Sequence, residues 1–121
     1  MAHKILVVDD EPATLKLVVG LLSAENYDVV QAVDGLEALR MIQAESPDLV
    51  VLDVMMPEIN GYDVCYQLHF NKEYETIPVI LLTKRDKEID SRIGQRANID
   101  YVPKPIDSNL LLLKVSELLR S

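Results

Sequence analysis

The chain has 121 residues, of which 49% are apolar and 26% charged, with 12 Lys and Arg against 20 Asp and Glu and a net charge of −8. This length supports one domain, residues 1–121, burying about two-thirds of its unfolded surface, so disordered and low-complexity classes are excluded. The acidic balance argues against direct DNA or RNA binding, which depends on Lys and Arg neutralising phosphates.

Ile5–Val8 is a continuous apolar run, the pattern of a strand buried on both faces, and it ends at Asp9-Asp10. Pro12 suits a first helical turn, and Leu15, Val18, Val19 and Leu22 follow at helical spacing. Asp28–Ala32 reads as a second strand. Asp34-Gly35 is turn chemistry, after which Leu36, Leu39 and Ile42 trace a helix that Pro47 closes. Asp48–Asp53 is the third strand, and Met55–Gly61 a Pro- and Gly-bearing loop before a helix through Val64 and Leu68. Ile77–Thr83 is the fourth strand. Ile89 and Ile93 mark a helix weakened by Gly94. Asp100–Val102 is a short fifth strand, stopped by Pro103-Lys104-Pro105, and Leu111, Val115, Leu118 and Leu119 form the last helix. Five strand–helix units predict a doubly wound α/β domain, a five-stranded parallel sheet with five helices.

In such a sheet ligands sit at the carboxyl ends of the strands. Asp9-Asp10, Asp53, Thr83 and Lys104 all fall there. Each has an ordinary reading by itself: Asp9 or Asp10 can cap a helix, Thr83 can end a strand, and Lys104 can be a solvated charge. Together they place three mutually repelling carboxylates, a hydroxyl and an ammonium on one edge. A hard divalent cation such as Mg²⁺ relieves that repulsion through oxygen ligands. A metal-bound carboxylate cluster with Lys and Thr suits phosphoryl transfer, in which a carboxylate can be the nucleophile.

The ordered segments ILVVDDEP (5–12), DGLEAL (34–39), PDLVVLDVMMPEINGYD (47–63), IPVILLT (77–83) and DYVPKP (100–105) resemble the receiver domain of bacterial and archaeal two-component response regulators, of the chemotaxis-regulator type. The resemblance covers essentially the whole chain and implies the flavodoxin-like strand order 2-1-3-4-5. It implies that Asp53 accepts a phosphoryl group from a sensor histidine kinase or a phosphotransfer protein. It implies Mg²⁺ held by Asp10, by Asp9 through water, by Asp53 and by the Met55 carbonyl. Thr83 and Lys104 would contact the phosphoryl oxygens, and the Lys104–Pro105 bond would be cis. Tyr101 matches the aromatic switch that follows Thr83. The expected role is a phosphorylation-dependent signalling switch rather than a conventional enzyme, read by a downstream effector or output domain, with no output domain in this chain.

Two positions depart from the family pattern. Lys84 stands where a small residue is usual, over access to the site, where it can shield the phosphoryl group or extend into solvent. Ala97-Asn98-Ile99 replaces a common Gly-Ala before the fifth strand. On the last helix, Leu111, Val115 and Leu118 share the inner face. Leu113 points nearly opposite and Leu110 to one side, a pair that suggests a homodimer surface.

Three other readings fit the sequence less well. A binding-only module is disfavoured by the intact Asp10, Asp53, Thr83 and Lys104. A haloacid-dehalogenase-type phosphatase needs Asp-x-Asp, which Asp53-Val54-Met55 lacks, and Asp9-Asp10-Glu11-Pro12 would repel a flavin phosphate. Cys65 reads as a small buried thiol, and as the single cysteine it fits a reducing, cytoplasmic setting. His3 and His69 lack metal-ligand spacing. No apolar run approaches the roughly 20 residues of a membrane span, and Asp9-Asp10 comes too early for a signal peptide.

Overall fold

A computed structural model describes residues 2–84 and 98–120. Along the chain run β1 (Lys4–Val8), α1 (Pro12–Ala24), β2 (Asp28–Ala32), α2 (Gly35–Glu45), β3 (Leu49–Asp53), α3 (Gly61–His69), β4 (Val79–Thr83), β5 (Ile99–Pro103) and α4 (Ser108–Arg120). The five strands pair in parallel in the order β2-β1-β3-β4-β5. Both the strand count and the order match expectation. Four helices lie among the described residues; the helix expected through Ile89 and Ile93 lies outside them.

Side chains on a strand alternate between faces, so each central strand feeds two cores. Leu6, Val8, Val50, Leu52 and Leu81 pack on one face with Ala38 and Ile42 of α2 and Val64 and Leu68 of α3. Ile5, Val7, Leu49, Val51, Ile80 and Leu82 pack on the other with Leu15, Val18 and Leu22 of α1 and Leu111 and Val115 of α4. This two-sided burial explains why β1, β3 and β4 read as unbroken apolar runs.

Several boundaries differ from the sequence reading. Asp48 precedes β3 and closes it against β1: its Oδ2 accepts from Lys4 N at 2.7 Å, and its own N donates to Lys4 O at 2.7 Å. Ile77 and Pro78 precede β4, with Pro78 O accepting from Val50 N at 3.0 Å. β5 extends to Pro103, which lies opposite Thr83. Leu36 is not a core residue of α2 but is 50% exposed. Gly35 takes the inner position instead, because a Cβ there would stand 2.5 Å from Ile59 O. Leu110 is half-buried, which leaves Leu113 as the exposed leucine of the expected pair.

Candidate functional site

The parallel register continues one residue past several strands and fixes where the polar side chains begin. Asp9 N donates to Ala32 O at 3.3 Å, Val54 N to Leu82 O at 3.0 Å and Lys104 N to Thr83 O at 2.7 Å. Asp9, Asp53, Thr83 and Lys104 therefore emerge along one edge of the sheet. Asp9, Asp53 and Thr83 are buried, and Asp10 is exposed. Asp9, Asp10 and Asp53 each bring an oxygen to within 4.8 Å of the others.

Lys104 closes this group. Its Nζ lies 3.1 Å from Asp9 Oδ2 and 3.2 Å from Asp53 Oδ1. Burial, and then the charge of Asp9, push the Asp53 carboxyl up to about 6, although Lys104 works against both. Desolvation pulls the Lys104 ammonium down. Its bond to Asp9 and the charges of Asp53 and Asp9 outweigh that and hold it above the usual lysine value. One ammonium against three carboxylates leaves net negative charge lined with oxygen atoms. That donor set fits a hard dication.

The residues around the group are placed by local geometry. Asp9 Oδ1 accepts from Glu11 N at 2.9 Å, so Asp9 does not act as the N-cap of α1; that position is Glu11, which makes no side-chain cap bond. Met55 N reaches Asp53 Oδ1 at 3.4 Å, and the Met55 side chain is exposed. The Met55–Gly61 loop folds back through Gly61 N to Val54 O at 2.9 Å. Tyr101 lies opposite Leu81 and packs half-buried against the core on the α2–α3 face. The Lys104–Pro105 bond is cis. Lys84 is exposed beside an open groove of about 400 Å³, which is also lined by Glu11, Thr14, Leu17, Lys104, Pro105 and Ile106.

Two contributors escaped the sequence reading. Gly61 backs the site, since a Cβ there would stand 2.5 Å from Asp53 O; the visible signal was a Gly closing the MMPEING loop. Glu11 sits in the groove wall, and nothing local in DDEP distinguishes it from a helix-start acid. Cys65 is buried, and that burial pushes its thiol up to about 12, away from the nucleophilic thiolate form.

The geometry defines a doubly wound α/β domain whose working edge is a carboxylate cluster closed by one lysine. The family profile of the response regulator receiver domain matches residues 5–116. The chain is 41% identical over 121 residues to the alkaline phosphatase synthesis transcriptional regulatory protein PhoP of Bacillus subtilis, covering 99% of this chain and half the length of that relative. Two solved structures are also similar. The signal receiver domain of a signal transduction histidine kinase from Syntrophus aciditrophicus is 34% identical, with a TM-score of 0.88 over 98% of this chain and 91% of that one. The chemotaxis protein CheY4 of Vibrio cholerae is 26% identical, with a TM-score of 0.88 over 98% of this chain and 99% of that one. The chain belongs to the response regulator receiver family, the signalling domains of two-component systems. Among the described residues no helix is long and apolar enough to cross a membrane.

Proposed function

We propose that this domain is a phosphorylation-dependent switch in which Asp53 accepts a phosphoryl group from a sensor histidine kinase or a phosphotransfer protein. The observation that carries the reading is Lys104 Nζ lying within 3.2 Å of both Asp9 and Asp53, beside exposed Asp10. An Asp53 oxygen attacks phosphorus, the bond from phosphorus to the donor nitrogen breaks, and the donor imidazole leaves. Asp53 must be ionised to attack, and burial next to Asp9 opposes that. Asp10, Asp53, the Met55 carbonyl and, through water, Asp9 would hold Mg²⁺. When bound, Mg²⁺ neutralises the carboxylates and the charge on the transferring group. Lys104 pairs with the phosphoryl oxygens, and the Thr83 hydroxyl donates to one of them. Tyr101 follows Thr83 inward, carrying the change to the surface around β5.

That surface would be read by a downstream effector or output domain, or by a second copy through α4, where Leu113 is 53% exposed. Neither a membrane nor a nucleic acid is a direct partner in this reading. The domain takes part in its own phosphoryl transfer without being a conventional enzyme, in the cytoplasm. Mass spectrometry after incubation with acetyl phosphate and Mg²⁺ should find one added phosphoryl group, absent in Asp53→Asn. Equal labelling of Asp53→Asn overturns the assignment.

A further inference from the structure

The groove beside the site carries two charges that the phosphoryl chemistry above leaves without a role. Glu11 enters it from the start of α1, and Lys84 from the residue after β4. Lys104, which touches Asp53, forms part of the same wall. The groove therefore borders the Asp53 site through Lys104.

Glu11 is anchored twice. Its backbone N–H donates to Asp9 Oδ1 at 2.9 Å, and its carboxylate accepts from the Thr14 hydroxyl. Glu11 thus presents an oriented carboxylate on the groove that Lys84 also lines. Lys84 is exposed, and its charge sits on a flexible four-carbon stem.

We propose that Glu11 is a positioning residue for Lys84: its carboxylate competes with the phosphoryl group on Asp53 for the Lys84 ammonium, and the competition sets the lifetime of the phosphorylated state. The inference rests on the reading of Asp53 given above. Before phosphorylation, Glu11 draws Lys84 to the far side of the groove. A phosphoryl group carries about −1.5 to −2 charges and three acceptor oxygens, so it attracts the ammonium more strongly than one carboxylate does. Lys84 then crosses to it and covers the face from which water attacks. In hydrolysis, water oxygen bonds to phosphorus and the phosphorus–oxygen bond to Asp53 breaks. The Asp53 carboxylate and inorganic phosphate result, and one proton goes to solvent. An ammonium on the phosphoryl oxygens slows the approach of that water, and Glu11 limits how often it is there.

The test compares wild type, Glu11→Gln, Lys84→Gln and the double variant. Gln keeps an acceptor for Thr14 and removes only the charge. Each protein is loaded with acetyl phosphate and Mg²⁺, the donor is removed, and loss of the Asp53 label is followed by mass spectrometry. Lys84→Gln should shorten the half-life about twofold to fivefold, the range an exposed charge contact supplies. Glu11→Gln should lengthen it about twofold in the wild-type background. In the Lys84→Gln background it should change nothing, because Glu11 acts only through Lys84. Lys84→Arg should keep most of the shielding, and all differences should shrink at high salt. Equal lengthening by Glu11→Gln in both backgrounds, or no shortening in Lys84→Gln, overturns the proposal while leaving Asp53 as the acceptor. Failure of the wild type to take any label on Asp53 overturns both.

Discussion

Among the described residues four helices start at the same edge of the sheet; α4 is capped by Asp107, whose Oδ1 accepts from Leu110 N at 3.1 Å, and the other three start differently. α2 is capped by Asp34, whose side chain accepts from Glu37 N at 2.8 Å. α3 has a full capping box, with Asn60 and Asp63 each accepting from the other's backbone N at 2.9 and 3.0 Å. α1 starts from Glu11 with no side-chain cap bond, although Asp9 and Asp10 directly precede it. Asp9 is instead turned to Lys104 and to the Glu11 backbone. The local rule for starting a helix is kept where a start has no other task. It is relaxed where the same carboxylates are needed at the site.

The sharpest way to break this comparison is to remove the charge that makes the relaxed end tolerable. Lys104→Met leaves Asp9 and Asp53 buried without their cation, and should cost about 3 kcal/mol at pH 7. The cost should be smaller at pH 5, where Asp53 takes up a proton. Urea unfolding at the two pH values measures it, and an equal loss at both would contradict the assigned repulsion.

Asp53→Asn should act in the opposite sense. In the folded state the Asp53 carboxyl titrates at about 6, above its ordinary value of 3.8. The folded protein therefore holds this proton more tightly than the unfolded chain does. The stabilising contribution of the group is complete below the ordinary value and is lost as pH rises through about 6. Without metal, the Asn variant should exceed wild type by about 2 kcal/mol at pH 7, with the advantage fading toward pH 4. A constant advantage across that window would point away from Asp53 ionisation.

Metal sharpens the same contrast without changing the chain. Mg²⁺ at about ten times its dissociation constant should add about 1.4 kcal/mol to the wild type, seen as a higher melting temperature. Asp10→Ala should lose most of that shift. An undiminished shift would place the ion elsewhere.

The smallest effects belong to the caps themselves. Asn60→Ala and Asp34→Ala should each cost about 1 kcal/mol. Glu11→Ala should leave the melting temperature unchanged, because α1 makes no side-chain cap there. A cap-sized loss at Glu11 would remove the distinction between the helix starts.

Much of the site was legible because strand ends are legible. Apolar runs that stop at Asp9, Asp53 and Thr83 announce the carboxyl edge of a parallel sheet, and the cis Lys104–Pro105 bond followed from the resemblance. Leu36 misled because helical spacing alone does not reveal that Gly35 must face inward against Ile59. Asp48, Ile77 and Pro78 misled because backbone bonds to neighbouring strands flank the regular elements on both sides. Glu11 was silent because what shares its groove is distant in the chain, and Gly61 showed only as the Gly that closes the MMPEING loop.

By itself the sequence determined the alternation of strands and helices, the two-sided burial of β1, β3 and β4, and the set of residues that could reach the working edge. Those are properties of side-chain period and composition, and they act over a few residues. Only the tertiary structure decided that Lys104 lies within 3.2 Å of Asp53 and 3.1 Å of Asp9, 95 residues earlier in the chain. Only it placed Glu11 and Lys84 on one groove. Those placements depend on the register of parallel strands, where a shift of one residue turns every side chain to the other face. In strands buried on both faces an unbroken apolar run does not choose between registers, so pairing between segments far apart in sequence sets it.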